Sequence, residues 1–174
     1  AGENIAQLLY EAGFKIVGVS DSSGGIYDAD GFEPKKIAKL KKEYGGIKSI
    51  PGYKKISNDK LLELEVDILI PAALENVIIK ANAENIKAKI VLELANGPLT
   101  PDADKILTKK KTVVIPDILA NAGGVTVSYF EWVQNIKNQK WSEPFIDKKL
   151  KLIMDKSMAG IYLESEKYKC SLRQ

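Results

Sequence analysis

Short β-rich apolar runs alternate along this chain with longer stretches whose apolar residues recur at helical spacing. Lys15–Ser20 is too apolar for an exposed strand, which predicts a buried parallel one. Glu33–Tyr44 instead places Ile37 and Leu40 on one face and lysines on the other, as an amphipathic helix does. Strands that alternate with helices indicate an α/β, doubly wound, mostly parallel sheet with helices on both faces.

The pattern predicts seven helices, four strands and one turn region. The predicted helices are Ala1–Ala12, Glu33–Tyr44, Asn58–Leu64 (capped by Asn58), Asn76–Asn85, Pro101–Lys110, Gly124–Asn135 and Glu143–Lys167. The predicted strands are Lys15–Ser20, Val66–Ile70, Lys89–Glu93 and Thr112–Ile115. Ser22–Gly31 contains three glycines and is expected to form a turn or small hairpin.

Small or amide-bearing residues follow the predicted strands: Asp21, Pro71-Ala72-Ala73, Asn96-Gly97-Pro98 and Asn121. In open α/β sheets, ligands bind at the carboxyl ends of the strands. Asp21 is either the acid that binds an adenosine ribose, with Gly2 as the last glycine of a dinucleotide fingerprint, or the start of an Asp-Ser-Ser-Gly turn. Asn96 and Asn121 either pair with a nicotinamide carboxamide or serve as turn and helix-cap residues.

Asn121 opens an unusual stretch, in which the adjacent glycines Gly123 and Gly124 precede a helix-compatible run. Val125 and Ser128 share a helix face there, where they could form an apolar wall and a hydroxyl donor for a small anionic substrate. Alternatively, Ser128 is buried and bonds its own helix. The aromatic residues of this helix, with Val133, are expected to pack in the core: Tyr129, Phe130 and Trp132.

The amino-acid composition argues against several classes of protein. The net charge is +3 and Arg173 is the only arginine, which argues against a nucleic-acid surface. No apolar run reaches the length that a membrane span needs. Cys170 is the only cysteine, which excludes an internal disulfide and favours a cytoplasmic protein. Since the chain has no histidine, proton transfer near neutral pH would need a tuned Lys, Asp or Glu.

Several motifs in one order resemble the nucleotide-binding domain of the glutamate dehydrogenase family, especially the hexameric enzymes of bacteria and archaea. They are Val19-Ser20-Asp21-Ser22, Gly24-Gly25-Ile26-Tyr27, Ile70-Pro71-Ala72-Ala73, Ala95-Asn96-Gly97-Pro98, Ile115-Pro116-Asp117 and Asn121–Asn135. The resemblance implies a Rossmann-like fold that lacks its first strand, which would lie between Lys15–Ser20 and Val66–Ile70. It implies a division into a nucleotide-binding domain, 1–142, and a long helix, 143–174, that leads to a substrate domain.

The resemblance also implies a role for each candidate residue. Gly2 would contact the pyrophosphate, and Asp21 and Ser22 would contact the adenosine ribose. Ala72 and Ala73 would lie beside the cofactor, and Asn96 and Asn121 would bind the nicotinamide. Val125 and Ser128 would contact the glutamate side chain, with Ser128 bonding the distal carboxylate. The reaction would be reversible oxidative deamination of L-glutamate to 2-oxoglutarate and ammonia with NAD or NADP.

In that family the catalytic lysine and aspartate belong to a preceding substrate domain, so no catalytic residue is expected on this chain, which resembles a fragment. Asp21 favours NAD, whereas Lys54 or Lys55 could compensate its charge and admit NADP. The family's assembly is usually hexameric, and neither a membrane nor a nucleic acid is expected as a partner. Two alternatives stay open: a leucine-, valine- or phenylalanine-type dehydrogenase, and a nucleotide-binding module without chemistry.

Overall fold

The computed structural model describes residues 1–174. Its helices are α1 (Gly2–Glu11), α2 (Pro34–Tyr44), α3 (Asn58–Leu62), α4 (Lys80–Ala83), α5 (Pro101–Lys109), α6 (Asp117–Ala120), α7 (Ala122–Ile136) and α8 (Glu143–Tyr168). Its strands are β1 (Ile16–Asp21), β2 (Gly24–Phe32), β3 (Lys54–Ile56), β4 (Ile68–Leu69), β5 (Ile90–Leu92) and β6 (Val113–Ile115). A short 3₁₀ helix spans Ile47–Ser49.

The strands form two three-stranded sheets, in the orders β1-β2-β3 and β4-β5-β6. The second sheet is parallel throughout, as predicted for an α/β fold. The first is antiparallel, and β1 pairs with β2 rather than with any parallel neighbour. The prediction of a buried parallel strand at 15–20 is therefore wrong in both its pairing and its burial, because the glycine-rich turn region turns the chain back as a hairpin and no residue of β1 is fully buried.

The parallel sheet holds the larger of two apolar cores. Leu69, Val91 and Val114 lie on β4, β5 and β6, and α5 covers them with Ala103 and Leu107. Helix α5 begins sharply because the Thr100 side chain accepts a hydrogen bond from the Ala103 amide. Its first turn carries two acids, which the helix dipole favours. This packing fixes where the parallel strands end.

A second core lies beneath the antiparallel sheet, where Ile26, Phe32 and Ile37 are buried. The cap of α3 differs from the prediction, because the Ser57 side chain rather than that of Asn58 accepts the Lys60 amide. Asn58 instead donates to the backbone oxygen of Asp21.

The predicted helix over 76–85 is only four residues long. Ile78 is fully buried and forms a parallel bridge with Leu99, which holds the backbone before α4 in an extended shape. Tertiary packing has overridden local helix preference here. Conversely, the sequence pattern missed α6, which begins directly after Pro116. No helix is both long and apolar enough to cross a membrane.

Candidate functional site at the ends of the parallel strands

The loops that follow β4, β5 and β6 meet along one edge of the parallel sheet. The backbone oxygen of Pro71 accepts hydrogen bonds from the amides of Leu94 and Ala95, at 3.1 and 2.9 Å. Gly2, in the first turn of α1, reaches the same edge, since a Cβ built on it would lie 3.6 Å from that of Ala72. The structure therefore brings the predicted positions Gly2 and Ala72 together. Ala73 follows directly and is exposed.

Asn96 and Asn121 are also brought together, across the ends of β5 and β6. The Asn121 Nδ2 donates to the Asn96 Oδ1 at 2.7 Å. Asn121 precedes α7 but makes no side-chain cap bond, so the helix-cap interpretation of this residue is wrong. The Nδ2 group of Asn96 and the Oδ1 oxygen of Asn121 are left without a hydrogen bond to the protein. The pair thus presents a donor and an acceptor side by side.

Asp117 ties the two asparagine loops to each other. Its Oδ2 accepts the amide of Gly97 at 2.8 Å, and its backbone oxygen accepts the amide of Asn121 at 2.9 Å. Asp117 begins α6, the short helix that the hydrophobic pattern did not predict. Asp117 was not predicted as a site residue, although the Pro-Asp pair that follows a predicted strand was a signal for it.

Two further residues of the network were missed as site residues. Glu93 follows β5, is fully buried, and accepts the Asp117 amide on Oε2 at 2.9 Å. Arg173 reaches the same oxygen with Nη2 at 2.5 Å. Burial lowers the pKa of Arg173, but its hydrogen bond to Glu93 and the Glu93 charge outweigh burial and raise it above the usual value. An acid at the end of an apolar run, and a single arginine, were the available signals.

Asp21 lies apart from this edge, at the turn between β1 and β2. Its Oδ1 accepts the Ser23 amide at 2.9 Å and hydroxyl at 2.6 Å, and its Oδ2 accepts the Ile47 amide at 3.1 Å. Asp21 therefore forms the predicted turn, and its contact with a ribose, which stays a prediction, would add to these bonds. The adjacent Ser22 is exposed.

The Asp21 carboxylate is strongly stabilised in its charged form. Burial raises its pKa, but the hydrogen bonds from Ser23 and Ile47 and the nearby Lys41 lower it more, so the pKa falls from 3.8 to about 2. The ammonium of Lys41 lies 3.1 Å from Oδ2. Lys41, rather than Lys54 or Lys55, is thus the lysine that offsets this charge.

Val125 and Ser128 both lie exposed on α7. The Ser128 hydroxyl makes no hydrogen bond, whereas the neighbouring Thr126 donates to the Ala122 backbone at 2.8 Å. The alternative of a buried, self-bonding Ser128 is therefore wrong.

The aromatic residues of α7 divide between core and surface. Phe130 is buried as predicted, but Tyr129 and Trp132 are more than half exposed, so the prediction that they pack in the core is wrong. A shallow cavity of about 260 Å³ lies between them and Ile136. With Val125, this gives α7 an apolar outer stripe.

Comparison with known families decides what kind of protein carries this geometry. The model of the glutamate/leucine/phenylalanine/valine dehydrogenases matches residues 1–174. The chain belongs to this dehydrogenase family. The sequence resemblance to the family is therefore confirmed along the whole chain.

Curated members of the family are close in sequence. A glutamate dehydrogenase of Thermotoga maritima is 50% identical over 173 residues, which are 99% of this chain and 42% of that protein. A cryptic catabolic NAD-specific glutamate dehydrogenase of Bacillus subtilis is 47% identical over 162 residues, or 93% of this chain and 38% of the relative. This chain thus spans about two fifths of the length of those relatives.

Solved structures agree on the fold. A hetero-hexameric glutamate dehydrogenase of Thermus thermophilus superimposes with a TM-score of 0.90 at 27% identity, over 99% of this chain and 40% of that one. The glutamate dehydrogenase of Peptoniphilus asaccharolyticus gives 0.79 at 33% identity, over 99% and 40%. The predicted Rossmann-like α/β class is confirmed by these dehydrogenase structures.

Proposed function

We propose that this chain is the dinucleotide-binding part of a glutamate dehydrogenase. The reaction is the reversible oxidative deamination of L-glutamate, in which L-glutamate, water and NAD⁺ give 2-oxoglutarate, ammonium, NADH and a proton. The observation that carries the proposal is the Asn96–Asn121 pair, because it offers one free amide donor and one free acceptor at the carboxyl ends of adjacent parallel strands.

The asparagine pair suits the nicotinamide end of a dinucleotide. A carboxamide carries one carbonyl acceptor and one amino donor, and the free Nδ2 of Asn96 and Oδ1 of Asn121 complement it. The residues present therefore fit the group. When bound, NAD supplies the hydride acceptor, and the asparagines orient its ring.

The pyrophosphate belongs at the start of α1. This helix has ten residues, its first amides have no side-chain cap, and Gly2 lies in the first turn without a side chain to block approach. Ala72 and Ala73, at the end of β4, flank the cofactor with small side chains.

Asp21 and Ser22 take the adenosine ribose. NAD is favoured over NADP because a carboxylate repels a ribose phosphate, although Lys41 reduces that repulsion. The Bacillus subtilis relative is named NAD-specific, which supports the same choice.

Val125 and Ser128 contact the side chain of glutamate. The exposed, unbonded Ser128 hydroxyl donates to its distal carboxylate, and Val125 forms the apolar wall beside it.

The rest of the enzyme supplies the chemistry that this chain lacks. By resemblance to the family, a separate substrate domain carries the catalytic lysine and aspartate, and residues 143–174 lead from the nucleotide-binding domain 1–142 towards it. The whole protein is a cytoplasmic homo-oligomer, a hexamer. The relative from Thermus thermophilus is described as hetero-hexameric, which supports a six-subunit assembly.

Equilibrium binding tests the proposal directly. Titration of the protein with NADH, followed by ligand fluorescence, should give saturable binding that NAD displaces. Asn121→Ala should weaken it about tenfold, the equivalent of one well-placed hydrogen bond. A protein that does not bind NADH would contradict the proposal. Glutamate-dependent NAD reduction by the 174 residues alone would contradict the placement of the catalytic groups elsewhere.

Ser128→Ala in the full-length enzyme tests the substrate. Loss of a hydrogen bond to a carboxylate should lower kcat/KM for glutamate at least tenfold while leaving norvaline nearly unchanged. Thr126→Val is the matched control, because the Thr126 hydroxyl bonds its own helix. An equal loss for both substrates would remove Ser128 from the substrate site.

A further inference from the structure

Arg173 gathers carboxylates from three different elements of the fold. Its Nη2 lies 2.5 Å from Glu93 after β5, its Nε donates to Asp104 of α5 at 3.3 Å, and its Nη1 lies 3.9 Å from Asp117 of α6. A planar guanidinium can serve several acceptors at once in fixed directions, which an ammonium cannot. Since Arg173 is the only arginine in the chain, no neighbour duplicates this function.

A defined turn brings Arg173 to the sheet. Helix α8 ends at Tyr168, and the backbone of the C-cap residue Lys169 is left-handed with φ of 52°. The Cys170 amide then donates to the Ser165 backbone at 3.1 Å, and the Ser165 hydroxyl donates to the Cys170 oxygen at 2.6 Å. The chain is therefore folded back from α8 towards the ends of the parallel strands, and the position of Arg173 is specified.

From Arg173 a continuous series of bonds runs to both asparagines. Glu93 joins Arg173 to the Asp117 amide. Asp117 in turn accepts the Gly97 amide, next to Asn96, and its backbone oxygen accepts the Asn121 amide. The first link is an ion pair of 2.5 Å, and the three that follow are hydrogen bonds of 2.8 to 2.9 Å that hold one loop against the next.

The negative charges of Glu93 and Asp117 are stabilised by the positive charge of Arg173. Glu93 is fully buried, its Oε1 has no hydrogen-bond partner, and the negative Asp117 lies directly beside it. Without Arg173 the two carboxylates repel each other across a poorly solvated space. A movement of Asp117 that relieved this repulsion would break its bond to Gly97, which holds the two asparagine loops together.

We propose that Arg173 is a positioning residue for the nicotinamide end of the dinucleotide, which it controls through Glu93 and Asp117 without touching the ligand. The inference rests on the proposed dinucleotide function. It assigns Arg173 no part in binding the adenosine half, because that half lies with Gly2 and Asp21, and neither residue bonds to the network.

Two ligands distinguish binding of the nicotinamide half of the dinucleotide from binding of its adenosine half. NADH carries the nicotinamide, whereas ADP-ribose has the adenosine and pyrophosphate groups but no nicotinamide. Dissociation constants for both are measured on the full-length protein, well below its unfolding midpoint, for wild type, Arg173→Gln and Arg173→Lys. Lys167→Gln is the control, since its exposed ammonium contacts Glu164 and the Tyr168 ring, both on the same helix, and no residue of the network.

Arg173→Gln is expected to weaken NADH about tenfold and ADP-ribose less than twofold. Arg173→Lys keeps the positive charge but loses the planar guanidinium with its several donors. Its NADH affinity should therefore fall between those of wild type and Arg173→Gln. This variant serves as the test if Arg173→Gln does not fold. Equal weakening of both ligands, or unchanged NADH affinity in a variant of lower thermal stability, overturns the positioning role. A wild-type protein that binds neither ligand overturns the proposed function itself, and this inference with it.

Discussion

Two acids at the ends of strands, Asp21 and Glu93, are stabilised in different ways. Asp21 is bonded by Ser23, two positions along the chain, by the Ile47 amide of the 3₁₀ helix and by Lys41 of α2. Glu93 is fully buried and depends on Arg173, eighty positions further along the chain. The comparison teaches that an acid in a turn gains part of its stabilisation from the turn itself, whereas the buried acid needs a cation from a distant part of the chain. Experiments that remove one partner at a time separate the two arrangements.

Loss of the Arg173 charge should have the largest effect. Arg173→Gln leaves Glu93 buried without its cation, which costs about 3 kcal/mol of unfolding free energy, the low end for a buried pair because the arginine is one third exposed. Glu93→Gln in the same chain should restore part of that loss, since no unpaired charge remains. Urea unfolding measures both. A double variant no more stable than Arg173→Gln would show that the charge of Glu93 is not the cause.

Acid should weaken the Asp21 turn by a smaller amount. The pKa of Asp21 is lowered from 3.8 to about 2, so its stabilisation is complete above pH 3.8 and is lost as the pH falls towards 2. The full loss is about 2 kcal/mol. Asp21→Asn should flatten the dependence of unfolding free energy on pH over this window. A slope equal to that of wild type would assign the acid sensitivity to other carboxylates.

Removal of Lys41 should have the smallest effect. Its ammonium is exposed and solvent screens the pair, so Lys41→Gln should cost about 0.5 kcal/mol at low salt and nothing measurable at 1 M NaCl. Asp21 keeps its three hydrogen bonds in that variant. Urea titrations at the two salt concentrations measure the difference. If Lys41→Gln lowered the unfolding free energy as much as Arg173→Gln does, the two acids would depend equally on their cations.

The elements that the sequence predicted best are those with a strong local signal. Helix α5 has a threonine cap, a proline start and an apolar face, and it was predicted to within one residue. Helix α4 was over-predicted because the bridge between Ile78 and Leu99 joins residues 21 positions apart. No local pattern carries such a pairing.

Some residues of the candidate site could also be predicted from the sequence, and others could not. Asn96 and Asn121 could be chosen from the sequence because each follows a predicted strand, and the ends of parallel strands meet. Glu93 and Arg173 could not, because an acid after an apolar run and an arginine in a loop have many ordinary explanations. Tyr129 and Trp132 were expected in the core, but the α7 face that bears them has no partner in this chain.

The sequence by itself determined the family, the alternation of strands and helices, and the small and amide residues at the strand ends, since each depends on a motif or on neighbours within a few positions. Only the tertiary structure decided that Asn121 bonds Asn96 rather than capping α7, that β1 pairs in an antiparallel hairpin, and that Arg173 neutralises Glu93. The physical reason is separation along the chain. Hydrogen bonds and charges that join distant segments exist only after packing has brought those segments together and excluded water between them.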